Sequence, residues 1–237
     1  MIDKETALSH LRHIYCGGQI GEVVLTGGLR ATAVTVAQDL IVVAPELDRV
    51  EPLVEPMGVP NLLGVIKAVE KLAPEDTQVA LSFELERGRV VVATQAGRSV
   101  HFQLAEPRVI VTAVSKEVVD QALSLTADEI GVPLPQAVIE GVLVATAILG
   151  SDTIRLEPGE ERGQVVVGNR EADFALIPYP EFRSDPPVSA ILSASVFGSV
   201  LRQVQDYTQS FLRLDEINGF VTVRDAAHLY VISTDEE

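Results

Sequence analysis

The sequence predicts an α+β fold of two similar domains, each made of two helix-plus-strands units. Three observations predict it. One order of periodicities, a short helical segment followed by strands, recurs four times. An extended stretch without turn signals lies at the chain midpoint. The apolar residues, 47% of the chain, are mainly Val, Leu, Ile and Ala, with only 5% aromatics and no Trp, which suits sheets packed under helices. A chain of 237 residues accommodates one large domain or two of roughly 110 residues each.

In the first unit Ala7, Leu8, Leu11, Ile14 and Tyr15 fall at helical spacing, and Gly17-Gly18 breaks the pattern. Strand-like runs follow at 22–26, 29–35 and 40–45. The second unit opens at Pro60-Asn61, with Leu62, Leu63, Val65, Ile66, Val69 and Leu72 along one side of a helix that stops near Pro74. Strands at 79–86, 89–94 and 99–104 come next, the first two separated by a turn at Arg87-Gly88. Residues 106–117 read as an extended connector, dividing a domain at 1–105 from one at 118–237; one more strand of a continuous sheet is the alternative. The third helix spans 134–149 and ends at Gly150, as a helix C-terminus should. Strands follow at 153–156, 164–168 and 174–177. A strand at 188–192 precedes the fourth helix, 195–204, and strands at 210–214, 220–223 and 229–233 complete the chain.

Composition excludes several classes. A single cysteine, Cys16, rules out an internal disulfide framework and fits a reducing compartment. Met1-Ile2-Asp3-Lys4-Glu5 lacks the basic-then-apolar pattern of a secretory signal, and no run approaches the ~18 apolar residues of a membrane span, so a cytoplasmic protein is expected. His10, His13 and Cys16 lie at i, i+3 spacings, but no second Cys/His cluster completes a ligand set. Gly17-Gly18 and Gly27-Gly28 lack the Lys and Ser/Thr of a phosphate-binding loop, and no Gly-x-Ser-x-Gly elbow occurs. The expectation is a protein without catalytic residues, metal or cofactor.

Charge is the informative feature. A net charge of −16 repels phosphates overall. Yet the four helices hold Lys4, Arg12, Lys67, Lys71 and Arg202 against Glu5, Glu70 and Glu140. In the second helix Pro60, Gly64, Lys67, Ala68 and Lys71 share the face opposite the apolar stripe; in the fourth, Ser195, Gly198, Ser199 and Arg202 do. The first has Ser9 and Arg12 on its polar side. The third, with Gln136, Glu140 and Gly141, has no positive face. Small polar groups and long cations on several similar helices suit loose, sequence-independent phosphate contact.

This arrangement resembles the sliding DNA clamps, a family related in fold to proliferating cell nuclear antigen, and the bacteriophage branch in particular. Asp3-Lys4-Glu5-Thr6-Ala7-Leu8-Ser9-His10-Leu11-Arg12 resembles the opening helix of phage clamps. Val54-Glu55-Pro56-Met57-Gly58-Val59-Pro60-Asn61-Leu62-Leu63-Gly64 resembles their passage from a strand into the second helix. Asp225-Ala226-Ala227-His228-Leu229-Tyr230-Val231-Ile232-Ser233-Thr234 resembles their last strand before a short acidic tail.

The resemblance implies a DNA-clamp fold in a homotrimeric ring, helices lining the hole and sheets outside. An ATP-driven clamp loader would place it on double-stranded DNA, where it tethers the replicative DNA polymerase for processive synthesis in a bacterial host cytoplasm. Lys4, Arg12, Lys67, Lys71 and Arg202 would line the hole. Clamp partners insert a short hydrophobic peptide beneath the connector, a pocket that Val109, Ile110, Val111 and Tyr230 would border. Closed head-to-tail pairing would bury strand edges at 99–104 and at 164–168 or 174–177, with Val100, Phe102, Val166 and Phe174 at the subunit interface. A ring-forming phage structural or assembly protein is the competing expectation, since it would share the repeats, the acidity and the lack of catalytic residues.

Overall fold

The computed structural model describes residues 1–47, 50, 53, 55–72, 74–113, 131–159, 162–183, 188–215, 219–226 and 228–235. Two units separate, Met1–Val36 with Ile41–Val119, and Ala37–Leu40 with Asp120–Glu237.

The first unit contains β1 (Ile2–Asp3), α1 (Lys4–Tyr15), β2 (Val23–Leu25), β3 (Ala31–Val34), β4 (Leu40–Ala44), β5 (Met57–Val59), α2 (Leu62–Leu72), β6 (Gln78–Glu84), β7 (Arg89–Thr94) and β8 (Ser99–Gln103). The second contains β9 (Val132–Pro133), α3 (Gln136–Leu149), β10 (Thr153–Glu157), β11 (Gly163–Gly168), β12 (Phe174–Tyr179), β13 (Ala190–Ser193), α4 (Ala194–Leu201), β14 (Ser210–Asp215), β15 (Phe220–Asp225) and β16 (His228–Ser233). Among the described residues, each unit therefore runs strand, helix, four strands, helix, three strands.

The pairing repeats as well. In the first unit β1-β6-β7-β8 and β5-β2-β3-β4 are runs of hydrogen-bonded neighbours. In the second the runs are β9-β14-β15-β16 and β13-β10-β11-β12. The strand before each helix joins the strands that follow the other helix, as Ile2 opposite Val79 and Val59 opposite Val23 illustrate. The two helix-plus-strands units of a domain are thus interlocked rather than stacked. The sequence reading missed β1 and β9, each two residues long and too short to carry a periodicity. It also ran the strand beginning at 79 on through residues 85 and 86, which with Arg87 form a 3-10 turn closed by Gly88 at φ 58°.

Local chemistry fixes the helices. Asp3 caps α1, its carboxylate accepting from the Thr6 N–H at 2.8 Å and the Thr6 hydroxyl at 2.9 Å; these bonds hold its pKa below the ordinary value. Ala7, Leu8, Leu11 and Ile14 are buried, and Cys16 ends α1 in the left-handed region at φ 43°. Asn61 caps α2, accepting from the Gly64 N–H at 2.9 Å. A Cβ on residue 64 would come within 2.5 Å of that capping amide, so the cap requires glycine there. Gly150 closes α3 at φ 60°, its N–H donating to Thr146 O at 2.9 Å. α1 packs with α2, which lies on β7 and β8; α3 packs with α4 and lies on β11 and β12.

Candidate nucleic-acid interface

The two helix pairs differ in what they expose. On the first, Arg12, Lys67 and Lys71 are exposed, and the Arg12 guanidinium approaches the Glu70 carboxylate at 3.8 Å. That pair is half-exposed on both sides and adds about 0–1 kcal/mol; it holds the Arg12 side chain of α1 against α2, the helix that carries Lys67 and Lys71. Lys67 and Lys71 are an i, i+4 like-charge pair, which costs the helix about 0.2–0.5 kcal/mol.

The second helix pair is nearly uncharged. α3 exposes Gln136, Ala137, Glu140, Val144 (58%), Ala147 and Ile148 (77%), with the Gln136 amide donating to Glu140 at 2.7 Å. α4 exposes Ser195 and, just past its end, Arg202. Gly198 and Ser199, expected beside them, are buried instead: a Cβ on Gly198 would meet Leu143 of α3 at 3.9 Å, so this side of α4 faces its partner helix. Ala68 of α2 is likewise buried. Lys4 is a further correction to the cation set. It is buried at the start of α1, where its N–H donates to Thr77 O at 2.9 Å, and is withdrawn from the exposed helix surface.

β8 and β12 are among the edge strands, each at the end of its run. On β8 Ser99, His101 and Gln103 are exposed, while Val100 and Phe102 are half-buried. On β12 Phe174 and Leu176 (49%) are exposed. Val166 belongs to β11, hydrogen-bonded to strands on both sides and 1% exposed, so it is a core residue and not an edge. Leu176 lies within the expected 174–177 edge but was not singled out beside Phe174; the alternation of exposed Phe174, Leu176 and Pro178 with inward residues is the signal that identifies it.

After β8 the chain is fastened to the first unit. Gly58 and Ala105 exchange backbone hydrogen bonds at 3.0 and 2.8 Å. Pro107–Val109 form a 3-10 turn rather than the extended stretch expected, and Ile110 is buried against Gly58. The Val111 N–H donates to the Glu22 carboxylate at 2.6 Å, and the Thr112 hydroxyl to Glu22 O at 2.5 Å. Val109 and Val111 are left exposed. Residues 114–117 of the expected connector lie outside the described residues. Of the four residues assigned to a peptide pocket, then, two offer side chains to a partner. Ile110 is buried, and Tyr230, with no exposed surface, is a core residue.

The histidine–cysteine group is interior. His10 and His13 are buried, and His10 Nε2 lies 3.0 Å from Leu29 O. Burial pushes the Cys16 thiol up to about 12, which leaves it protonated and poorly nucleophilic at neutral pH. Among the described residues no three His, Cys, Asp or Glu side chains are placed to hold a metal ion. No described helix is long and apolar enough to cross a membrane.

No family model matches the sequence, and no curated protein does. Solved structures do match. The fold is similar to that of A. fulgidus PCNA, solved with the C-terminal region of FEN-1, at a TM-score of 0.69 and 16% identity over 100% of this chain and 97% of that one. It is similar to the PCNA2-PCNA3 complex of Sulfolobus tokodaii at a TM-score of 0.67 and 10% identity, over 100% and 98% of the two chains. The beta chain of DNA polymerase III from Streptococcus pneumoniae matches at 0.68 and 8% identity, over 99% of this chain but 64% of that chain. At these identities the likeness establishes the fold: an α+β chain of the PCNA and beta-clamp kind.

Proposed function

We propose that the chain is one subunit of a sliding DNA clamp of the trimeric bacteriophage kind, a ring that encircles double-stranded DNA and tethers a DNA polymerase. The supporting observation is the joint occurrence of the PCNA fold along the whole chain and an exposed Arg12, Lys67 and Lys71 face on a protein of net charge −16. Phosphate contact through such side chains carries no sequence information, which lets a ring move along the duplex. On this reading the protein is a scaffold and not a catalyst. It needs no cofactor, is placed on DNA by a clamp loader, and works in the cytoplasm of a bacterial host. Its domains are 1–105 and 118–237, joined by residues 106–117.

Three copies are favoured because the chain spans 97–98% of the PCNA subunits it matches and 64% of the longer beta chain. Head-to-tail association through the β8 and β12 edges would satisfy their unpaired backbone groups and cover Phe174. Val109 and Val111 would form the rim of the partner-peptide site. Light scattering across a dilution series tests the assembly. A mass of about three times 25.5 kDa that falls on dilution supports it, whereas a monomer that persists even with DNA and loader overturns it. Processivity of the cognate polymerase then separates a clamp from a ring-forming structural protein, which would give no increase.

A further inference from the structure

We propose that phosphate contact is confined to one helix pair of each chain, the α1–α2 face of the first unit, and that the α3–α4 face of the second is electrostatically silent towards DNA. This deepens the sliding-clamp reading and rests on it.

The physical basis is a local count of charge. At physiological salt an exposed charge is felt over about 8–10 Å, so a phosphate responds to the side chains of one helix face and not to the whole protein. The α1–α2 face sets the exposed cations Arg12, Lys67 and Lys71 against the exposed acids Glu5 and Glu70 and retains an excess of one cation. On α3–α4 the exposed charges are Arg202 and Glu140, which offset one another. The rest of the exposed α3 surface is Gln136, Ala137, Val144, Ala147 and Ile148, none of which can neutralise a phosphate. The two domains share one topology, so the difference comes from side chains substituted onto a common backbone. α3 would still face the duplex, but as a neutral wall. A ring built this way holds DNA by half of its helices, and its affinity depends on salt less steeply than its helix number suggests.

The test is the slope of log affinity against log salt for the assembled protein on a fluorescein-labelled duplex of arbitrary sequence. Each phosphate neutralised contributes about 0.9 to that slope. Lys67→Gln with Lys71→Gln should reduce the slope by at least about 1 and weaken binding severalfold at low salt. Arg202→Gln, which leaves Glu140 uncompensated, should lower both by clearly less than the α2 pair does. Val144→Lys with Ile148→Lys, substitutions at exposed positions, should raise the slope by at least about 1, showing that α3 is silent for want of charge and not for want of proximity. Circular dichroism checks that each variant is folded. An Arg202→Gln effect as large as that of the α2 pair would overturn the confinement while leaving the clamp reading intact. No gain from the α3 lysines would overturn the claim that missing charge is the cause. No measurable duplex association of the wild-type assembly, at any salt, would overturn the clamp reading and this inference together.

Discussion

Gly58→Ala should loosen the segment that follows β8 at its root. Gly58 pairs with Val24 of β2 on one side and bridges Ala105 on the other, exchanging hydrogen bonds of 3.0 and 2.8 Å. A Cβ there would come within 2.6 Å of Ile110 Cγ1 and 2.9 Å of both Ala105 O and Ile110 Cδ1. Ile110 is buried and cannot simply swing into solvent, and Ala105 O is backbone. Forcing a methyl into such a site costs about 1–3 kcal/mol, and weakening the bridge adds about 0.5–1.5 kcal/mol per hydrogen bond. We expect a loss of about 2–4 kcal/mol. With a urea m-value of about 1–3 kcal/mol/M, the unfolding midpoint should fall by roughly 0.7–4 M, read by far-UV circular dichroism. A double-mutant cycle identifies the cause. Ile110→Ala alone should cost about 2–5 kcal/mol, and adding it to Gly58→Ala should cost less than the sum of the singles by more than about 0.5 kcal/mol, because the clash disappears. Strict additivity, or a Gly58→Ala cost below about 0.5 kcal/mol, would refute the reasoning.

Three further perturbations test other parts. Leu176→Glu places a charge on the exposed face of the β12 edge; the chain should remain folded but its solution mass should fall to that of a monomer, and an unchanged mass would remove β12 from the interface. Cys16, with its thiol held near 12 by burial, should resist a disulfide reagent in the native protein and react once unfolded; since the unfolded thiol ionises from about pH 9 and the folded one does not, stability should decline above that pH. Burial holds the His10 imidazole neutral, its pKa below the ordinary 6.5, so the unfolded chain takes up a proton that the folded chain refuses. Stability present above pH 6.5 should therefore diminish as pH falls through that value, and a His10→Gln variant should show a shallower decline in urea midpoints.

Long elements with one apolar stripe were legible in the sequence. The Ala7, Leu8, Leu11, Ile14 and Tyr15 stripe and the Leu62, Leu63, Val65, Ile66, Val69 and Leu72 stripe fall within α1 and α2, and all but the half-buried Tyr15, Leu63 and Leu72 are buried. The cap at Asn61 and the stop at Gly150 were readable because each needs a particular side chain or a positive φ. Tertiary packing overrode the rest. A helix pattern gives no sign that one side of α4 is covered by α3, so Gly198 and Ser199 were placed on the outside. Lys4 counts as a surface cation in any sequence reading, yet it is buried beside the β1–β6 pairing. Val166 and Phe174 looked equivalent as strand residues, because a run of valines does not reveal whether its strand is central or terminal. The exposed Arg12, Lys67 and Lys71 survived because charge on the polar side of an amphipathic helix is fixed by period alone.

The central claim, that the protein closes around duplex DNA and is held there by topology, is tested most directly by its residence on a linear duplex. The assembled protein is threaded over a free end, both ends are blocked with bound streptavidin, and dissociation is followed after one end is freed by a restriction cut. The account predicts a complex that persists while the ends are blocked and is lost promptly on cutting, with residence increasing with duplex length. Equal lifetimes with blocked and free ends would contradict it and would leave an ordinary electrostatic DNA contact in place of a ring.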